Sequence, residues 1–329
     1  MSRPLSLLDL AIIGRGQTAA DALDASVAIA QRAELHGFER VWYAEHHNMG
    51  SIASSAPAVL IAHIANHTRT IRLGAGGVML PNHSPLTIAE QYGTLATLHP
   101  GRIELGLGRA PGSDQNTMRA MRRDHTSSDT FPDDVLEVIG YLAGASRVTG
   151  VNAIPGAGTE VPVYILGSSL FGAGLAARFG LPFAFASHFA PDSLRAAMAL
   201  YRRTFQPSQW LDAPRAMAAV NVIAADNDAD AERQLRVAAR WRVARFLDLG
   251  DQLTDAEADR VIASPQGQQI VHMMSYSAVG SPQTVAEYLE QFAEHAGADE
   301  LIVALASPTT EERLRTLDLV AAAVGVATV

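Results

Sequence analysis

The sequence predicts one α/β domain over residues 1–329, a (β/α)8 TIM barrel with an insertion between strands seven and eight. Short β-rich runs alternate with longer helical runs along the chain. The strand runs are continuously apolar, which is typical of parallel strands buried on both faces. The length of 329 residues fits such a barrel with insertions. A doubly wound open sheet is the alternative fold.

The first half of the chain contains four predicted strands and four predicted helices. Apolar residues at spacings of three and four mark the helices, and Gly37 and Pro81 end two of the elements. A loop rich in Gly, Asp, Asn and Arg follows the fourth strand and extends to about Asp129. The strands are Leu5–Ile13, Phe38–Ala44, Ile71–Leu80 and Arg102–Gly108, and the helices are Ala19–His36, Ala56–Asn66, Pro85–Leu98 and about Asp133–Ala143.

The second half repeats this pattern and adds the insertion. We expect the insertion at about Gly250–Ser277, followed by a helix over Pro282–Ala296. The strands are Val161–Leu166, Pro182–Ala186, Arg215–Ala225 and Glu300–Ala304, and the helices are Ser169–Phe179, Asp192–Phe205, Ala229–Leu247 and Thr310–Ala323.

The composition excludes several kinds of chemistry. The chain has no cysteine, and all 25 of its basic residues are arginine. Disulfides, thiolate catalysis, cysteine-bound metals, lysine Schiff bases and a phosphate-binding P-loop lysine are therefore excluded. A net charge of −9 argues against nucleic-acid partners. No signal peptide or membrane-spanning run is recognisable, so we expect a cytoplasmic location and no membrane partner.

The segment Glu45-His46-His47 follows the second strand, at the barrel end where function is expected. One metal ion cannot readily bind both histidines, because adjacent side chains on a strand point to opposite faces. A zinc hydrolase site with His83 and His188 is the metal alternative. We favour a histidine acting as acid, base or hydrogen-bond donor, with no metal. A histidine bonded to a nearby carbonyl is the structural alternative.

The segment Gly167-Ser168-Ser169 leads from the fifth strand into a helix that contains Gly172. Backbone N–H groups and two hydroxyls at a positive helix end are suited to an anion such as phosphate. Arg109, at the end of the fourth strand, is positioned to supply positive charge. The alternatives are a plain serine N-cap and a surface salt bridge.

Glycines interrupt the third strand at Gly74, Gly76 and Gly77. Glycine inside a strand indicates a bulge or the close approach of another group to the backbone. A flat ring system lying against the backbone would require this, and so would a tight barrel corner.

Several longer motifs resemble the bacterial luciferase-like flavin-dependent oxidoreductases, in particular the single-chain luciferase-like monooxygenases. The resemblance extends from near residue 5 to near residue 320, with the motifs in register. The motifs are GFERVWYAEHHN (Gly37–Asn48), LGAGGVMLPNHSP (Leu73–Pro85), HPGRIELGLGRAPG (His99–Gly112), LGSSLFGAGLAARFGLPFAFASHF (Leu166–Phe189) and AVGSPQTV (Ala278–Val285).

The resemblance implies a role for each site residue. His46 would assist the flavin and oxygen chemistry, Arg109 would meet the FMN phosphate, and the 250–277 insertion would close over the pocket. Gly76 and Gly77 would support the flavin ring, often through a cis peptide bond. The phosphate loop would comprise Gly167, Ser168, Ser169 and the Gly172 amide, and Asp9, Ser187 and His188 would face the ring and the substrate.

The resemblance also implies an activity: an FMN-dependent monooxygenase that oxidises a small organic substrate with O2. A separate reductase would supply reduced FMN, and the chain would form a homodimer. Gly108 and Gly172 replace a cysteine and a threonine of the light-emitting members, which argues against light emission. An F420-dependent hydride-transfer enzyme and a non-catalytic flavin-binding protein are the alternatives on the same fold.

Overall fold

Eight parallel strands close into a barrel in this computed structural model, which describes residues 3–110, 114–249 and 253–325. The barrel order is β1-β2-β3-β4-β5-β6-β7-β9, and pairing of β9 with β1 closes it. The predicted fold class is confirmed. The strands are β1 (Leu5–Asp9), β2 (Arg40–Tyr43), β3 (Arg72–Met79), β4 (Ile103–Gly108), β5 (Val163–Gly167), β6 (Phe183–Phe185), β7 (Ala216–Ala224), β8 (Ser277–Gly280) and β9 (Glu300–Leu305).

Helices surround the barrel, and most of them match the predicted ranges to within about two residues. Among the described residues, every helix is too short or too polar to serve as a membrane span. The helices are α1 (Ala19–Leu35), α2 (Pro57–Ala65), α3 (Pro85–Leu98), α4 (Gln115–Ala120), α5 (Phe131–Leu142), α6 (Leu170–Phe179), α7 (Leu194–Thr204), α8 (Asp228–Phe246), α9 (Asp255–Ile262), α10 (Pro265–His272), α11 (Pro282–Ala296) and α12 (Thr310–Val324).

The first strand is shorter than predicted, ending at Asp9 rather than Ile13. The Asp9 carboxylate accepts a hydrogen bond from the Ala11 backbone N–H at 2.9 Å. Ala11 also has a positive φ of 48°, which turns the chain away from the strand direction. The apolar residues after Asp9 therefore belong to a loop, in which Ile12 forms a single antiparallel bridge with Ile52.

The insertion contains more structure than predicted. Its first residues, 250–252, lie outside the described part of the chain, and the rest folds into α9 and α10. Ser277, predicted as the last residue of the insertion, begins the short strand β8. β8 pairs with Asn221–Ala224 at the end of β7, so the eighth barrel strand is β9.

The long loop after β4 is also partly ordered. It contains α4 and a 3-10 turn at His125–Ser128, while residues 111–113 lie outside the described ranges. Asp114 caps α4 by accepting from the N–H groups of Asn116 and Thr117.

The barrel interior has an apolar middle and a charged N-terminal end. Leu8, Trp42 and Tyr164 lie in the apolar part. Below them the Arg40 guanidinium is fully buried and forms ion pairs with Glu104, at 2.8 Å, and with Glu300. This end of the barrel is therefore closed, and the C-terminal end is left for function.

Candidate active site

His46 points into the C-terminal mouth of the barrel. Arg40, Trp42 and Ala44 alternate with outward-facing residues along β2, and the next inward position is His46. The His46 backbone N–H donates to the Ser54 carbonyl at 3.0 Å, which holds the segment after the strand. Its Nδ1 is buried without a hydrogen-bond partner among the described residues. An imidazole nitrogen is therefore available to a bound molecule.

His188 lies near His46 on the other side of the mouth. Burial, together with the nearby charges of Arg242 and His46, lowers the pKa of His188 to about 3. Burial also lowers the pKa of His46. In the described part of the chain, the His188 Nδ1 has no partner either. Both imidazoles are thus neutral at pH 7, and each offers one unsatisfied nitrogen to the mouth.

Glu45 faces away from the interior and organises the loops behind His46. Its carboxylate accepts hydrogen bonds from Nε2 of His47 and Nε2 of His83, both at 2.8 Å, and from the Met79 backbone N–H at 3.0 Å. Both histidines are thus bonded to the carboxylate. Within the described ranges no group of three or more His, Asp or Glu side chains is arranged to hold a metal ion. The predicted absence of a metal stays a prediction.

We expect the Glu45 contacts to make stability depend on acid pH. Burial alone would raise the pKa of Glu45, but hydrogen bonds from His83, His47 and the Met79 N–H hold it below its usual value. A carboxylate whose pKa is lower in the folded state than in the unfolded state stabilises the fold at pH values above the unfolded-state pKa. This stabilisation is lost as the pH falls through the folded-state pKa. In urea unfolding, Glu45→Gln should therefore have a lower free energy of unfolding than wild type at pH 7. The difference between the two free energies should become smaller towards pH 4. A difference that stays constant or grows over this pH range would contradict the stabilising role of the Glu45 carboxylate.

Arg109 lies at the N-terminus of α6. Its guanidinium stacks on the Phe171 ring at 4.2 Å from the centroid, and Phe171 is in the first turn of that helix. The Arg109 Nε donates to the Ser128 carbonyl at 3.3 Å. No carboxylate among the described residues forms an ion pair with Arg109, so its charge is available at the helix end.

The N-terminus of α6 has no side-chain cap. Ser169 occupies the N-cap position with extended backbone, but its hydroxyl accepts no capping hydrogen bond. Ser168 is half-buried and Ser169 exposed. Gly167 and Gly172 pack against each other, since a Cβ on Gly172 would lie 3.5 Å from the Gly167 Cα. The predicted phosphate loop thus brings together first-turn N–H groups, two hydroxyls and the Arg109 guanidinium.

The glycines of β3 are in close contact with the neighbouring strands of the barrel. The peptide bond between Gly76 and Gly77 is cis, and the register between β3 and β4 shifts between Ala75 and Val78. A Cβ on Gly76 would lie 2.8 Å from the Trp42 Cβ, so only glycine fits over the Trp42 side chain. This position is next to the strand that bears His46.

Asp9 and Ser187, both predicted to face the ring, form contacts within the barrel wall. Asp9 pairs with Tyr43 in register, on the outer face of β1, and its charge acts on Tyr43 and Arg313. Asp9 therefore lies between the strand and the helix layer rather than in the mouth. Ser187 is fully buried and its hydroxyl donates to the Ala219 carbonyl of β7 at 2.6 Å. That hydroxyl connects the ends of β6 and β7, and a ring-facing role for Ser187 stays a prediction.

The insertion approaches the mouth from the β6 side. His272, the last residue of α10, pairs with Asp192 in the loop after β6 at 2.6 Å. A groove of about 530 Å³ runs between α10 and the segment 189–192, next to His188.

The parallel barrel brings two buried histidines and an uncapped helix N-terminus flanked by Arg109 to its C-terminal end, where the active sites of such barrels lie. The sequence profile of the luciferase-like monooxygenases matches residues 6–300. This chain belongs to that family and is an enzyme of its flavin-dependent oxidoreductase type. It is 48% identical over 302 residues to a luciferase-like monooxygenase of Escherichia coli K12, covering 91% of this chain and 90% of that protein.

Solved structures show the same architecture. The crystal structure of apo-MsnO8 is 35% identical with a TM-score of 0.88, over 99% of this chain and 100% of that one. The FMN complex of the oxygenating component of 3,6-diketocamphane monooxygenase from Pseudomonas putida is 18% identical, with a TM-score of 0.72 over 98% of each chain. An F420-dependent secondary alcohol dehydrogenase is 16% identical, with a TM-score of 0.73 over 98% and 99%. These last two likenesses concern the fold alone.

Proposed function

We propose that this enzyme is an FMN-dependent monooxygenase that uses reduced FMN and O2 to oxidise a small organic substrate. The observation that carries the proposal is the Arg109 guanidinium stacked on Phe171, at the uncapped N-terminus of α6. An arginine without a carboxylate partner beside free first-turn N–H groups is suited to a phosphate dianion.

The mouth of the barrel also suits a flavin ring. Gly76 and Gly77, which the family resemblance assigns to the ring, pack tightly inside the barrel: a Cβ would meet Trp42 and Leu8 at Gly76 and the Gly106 carbonyl at Gly77. The unsatisfied nitrogens of His46 and His188 are hydrogen-bonding groups that a heterocycle with several nitrogen and oxygen atoms can satisfy. The Gly76–Gly77 segment belongs to β3, Arg109 follows β4, and the phosphate loop follows β5, and these three strands are neighbours in the barrel. One FMN could thus use all three.

Reduced FMN, when bound, would supply the electrons that activate O2 for transfer of one oxygen atom to the substrate. The protein would contribute placement and a dry site. His46 is neutral and its free Nδ1 can donate or accept one proton beside the reacting groups. The apolar interior beneath the mouth, at Leu8 and Trp42, excludes water from below.

We expect His46→Ala to keep FMN binding but to release hydrogen peroxide faster, by about tenfold or more. The substitution removes the imidazole that would hold a proton beside the reacting oxygen, and it admits water. Mixing the reduced complex with oxygenated buffer and following peroxide with a peroxidase-coupled dye measures this rate.

The matched control is His63→Ala, since His63 is exposed on α2. It should release peroxide at the wild-type rate. Loss of FMN binding in His46→Ala would make His46 a structural residue, and an unchanged peroxide rate would remove it from the chemistry.

Two further proposals rest on the family resemblance. Reduced FMN would come from a separate reductase, and the chain would pair as a homodimer. Oxidation that requires an added NAD(P)H:flavin reductase would support the first proposal. Analytical ultracentrifugation tests the second, and a monomer at micromolar concentration would contradict it.

A further inference from the structure

Helix α8 lies across the C-terminal end of the barrel on the side of β7, β8 and β9. Its small and apolar residues Ala231, Leu235 and Ala238 form one stripe and pack on the ends of these strands. The contacts on the strand side come from residues at or just after the strand ends, namely Ile223, Ala225, Val279 and Ala306. The helix therefore covers part of the mouth.

Arg242 continues this stripe. It follows Ala238 by four residues, which places it one turn further along the same helix face. Its Nε is buried and has no hydrogen-bond partner among the described residues. The guanidinium lies 5.7 Å from the centroid of the Phe246 ring. An arginine thus occupies a position where the periodicity of the helix would place an apolar residue.

The charge of Arg242 has no counter-ion in the described part of the chain. Other arginines of α8 are paired: Arg233 with Asp230 at 2.5 Å, and Arg240 with Asp255 and Asp259 at 2.5 and 2.7 Å. Burial lowers the pKa of Arg242, and no carboxylate offsets this effect. Arg242 is half-buried, and a partly desolvated guanidinium without a counter-ion is costly to the free protein and is stabilised when an anion binds.

The Arg242 charge also acts on His188. Arg242 and His46 both act on the His188 imidazole, and with burial they lower its pKa. Arg242 is therefore close to His188, and His188 is close to His46. Arg109, which would hold the FMN phosphate, is at the N-terminus of α6 after β5. Arg242 is thus a guanidinium near the mouth that the proposed FMN phosphate does not use.

We propose that Arg242 binds the anionic head group of the substrate, a carboxylate or sulfonate, so that the enzyme oxidises small organic anions. The identification of this anion as the substrate rests on the proposed monooxygenase function. The anion-binding site itself does not depend on that function. The planar guanidinium can give two parallel hydrogen bonds to such a group. The apolar tail of the substrate would then extend towards His188 and His46, where oxidation takes place.

Calorimetric titration with hexanoate, hexane-1-sulfonate and the neutral isostere hexanamide tests the anion site. We expect one or both anions to bind wild type about tenfold or more tightly than hexanamide, as one charge-assisted hydrogen bond predicts. Arg242→Gln should abolish this preference and still bind FMN as wild type does. The affinities for hexanoate and hexane-1-sulfonate show whether the site prefers a carboxylate or a sulfonate. Arg242→Met is the second variant, and neither variant should lower the melting temperature, because each removes a half-buried charge that has no counter-ion among the described residues.

The matched control is Arg236→Gln, which removes an exposed arginine from the same helix and should keep the anion preference. Equal binding of anions and hexanamide to wild type would overturn the inference, and so would a preference that survives in both Arg242 variants. Weakened FMN binding in Arg242→Gln, without any anion preference in wild type, would assign Arg242 to the flavin instead. If wild type binds no FMN but shows an anion preference that depends on Arg242, the proposed function fails and the anion site stands.

Discussion

Arg40→Met is expected to destabilise the protein by about 3–5 kcal/mol, the cost of removing one partner from a buried ion network. Arg40 is fully buried at the N-terminal end of the barrel, between Glu104 and Glu300. Without it the two carboxylates stay buried with less positive charge nearby. Trp42 and Tyr164 donate to Glu104 but carry no charge. Equilibrium unfolding in urea measures the difference.

The control for Arg40 is Arg233→Gln, which breaks the exposed pair with Asp230 and should leave stability unchanged within error. Adding Glu104→Gln and Glu300→Gln to Arg40→Met should restore part of the loss, because the unpaired charges disappear. If Arg40→Met loses as little unfolding free energy as the control, the Arg40 ion network does not stabilise the barrel.

Arg109→Gln is expected to weaken FMN binding about 10- to 150-fold, as loss of a charge-assisted contact of about 1.5–3 kcal/mol predicts. Binding of riboflavin, which lacks the phosphate, should stay at the wild-type level. The reason is that Arg109 stacks on the first turn of α6, where the phosphate would lie. Fluorescence titration with both flavins measures the two affinities.

The matched control for Arg109 is Arg178→Gln, an exposed arginine in the last turn of the same helix. It should bind both flavins as wild type does. Equal losses of FMN and riboflavin affinity in Arg109→Gln would place Arg109 against the ring rather than the phosphate. Unchanged FMN affinity would remove it from the cofactor site.

The barrel could be predicted from the sequence because its signals are local. Each strand is a continuous apolar run, and each helix has its own periodicity and stop signals. The short strand β8 could not be predicted in the same way. It has four residues, and it pairs only because β7 extends past β6 at that point. The length of the neighbouring strand, and not the sequence of β8, decides that it forms.

The orientation of single site residues was harder to predict. β1 is buried on both faces, so its sequence has no alternation that would show which face Asp9 occupies. Motif resemblance identified His46, His188 and Arg109, but Arg242 matches no motif. The sequence signal for Arg242 was its position four residues after Ala238, in a stripe of small and apolar residues. The electrostatic effect of Arg242 on His188 also depends on how α8 crosses the barrel, which no local pattern shows.

The most direct test is an anaerobic titration of the purified protein with reduced FMN and with reduced F420, followed by mixing each complex with O2. We expect reduced FMN to bind more tightly than F420, its affinity to depend on Arg109, and the bound flavin to consume O2. Binding of F420 in preference to FMN, with no reaction with O2, would contradict the monooxygenase and favour a hydride-transfer enzyme. Binding of neither would contradict the flavin site itself.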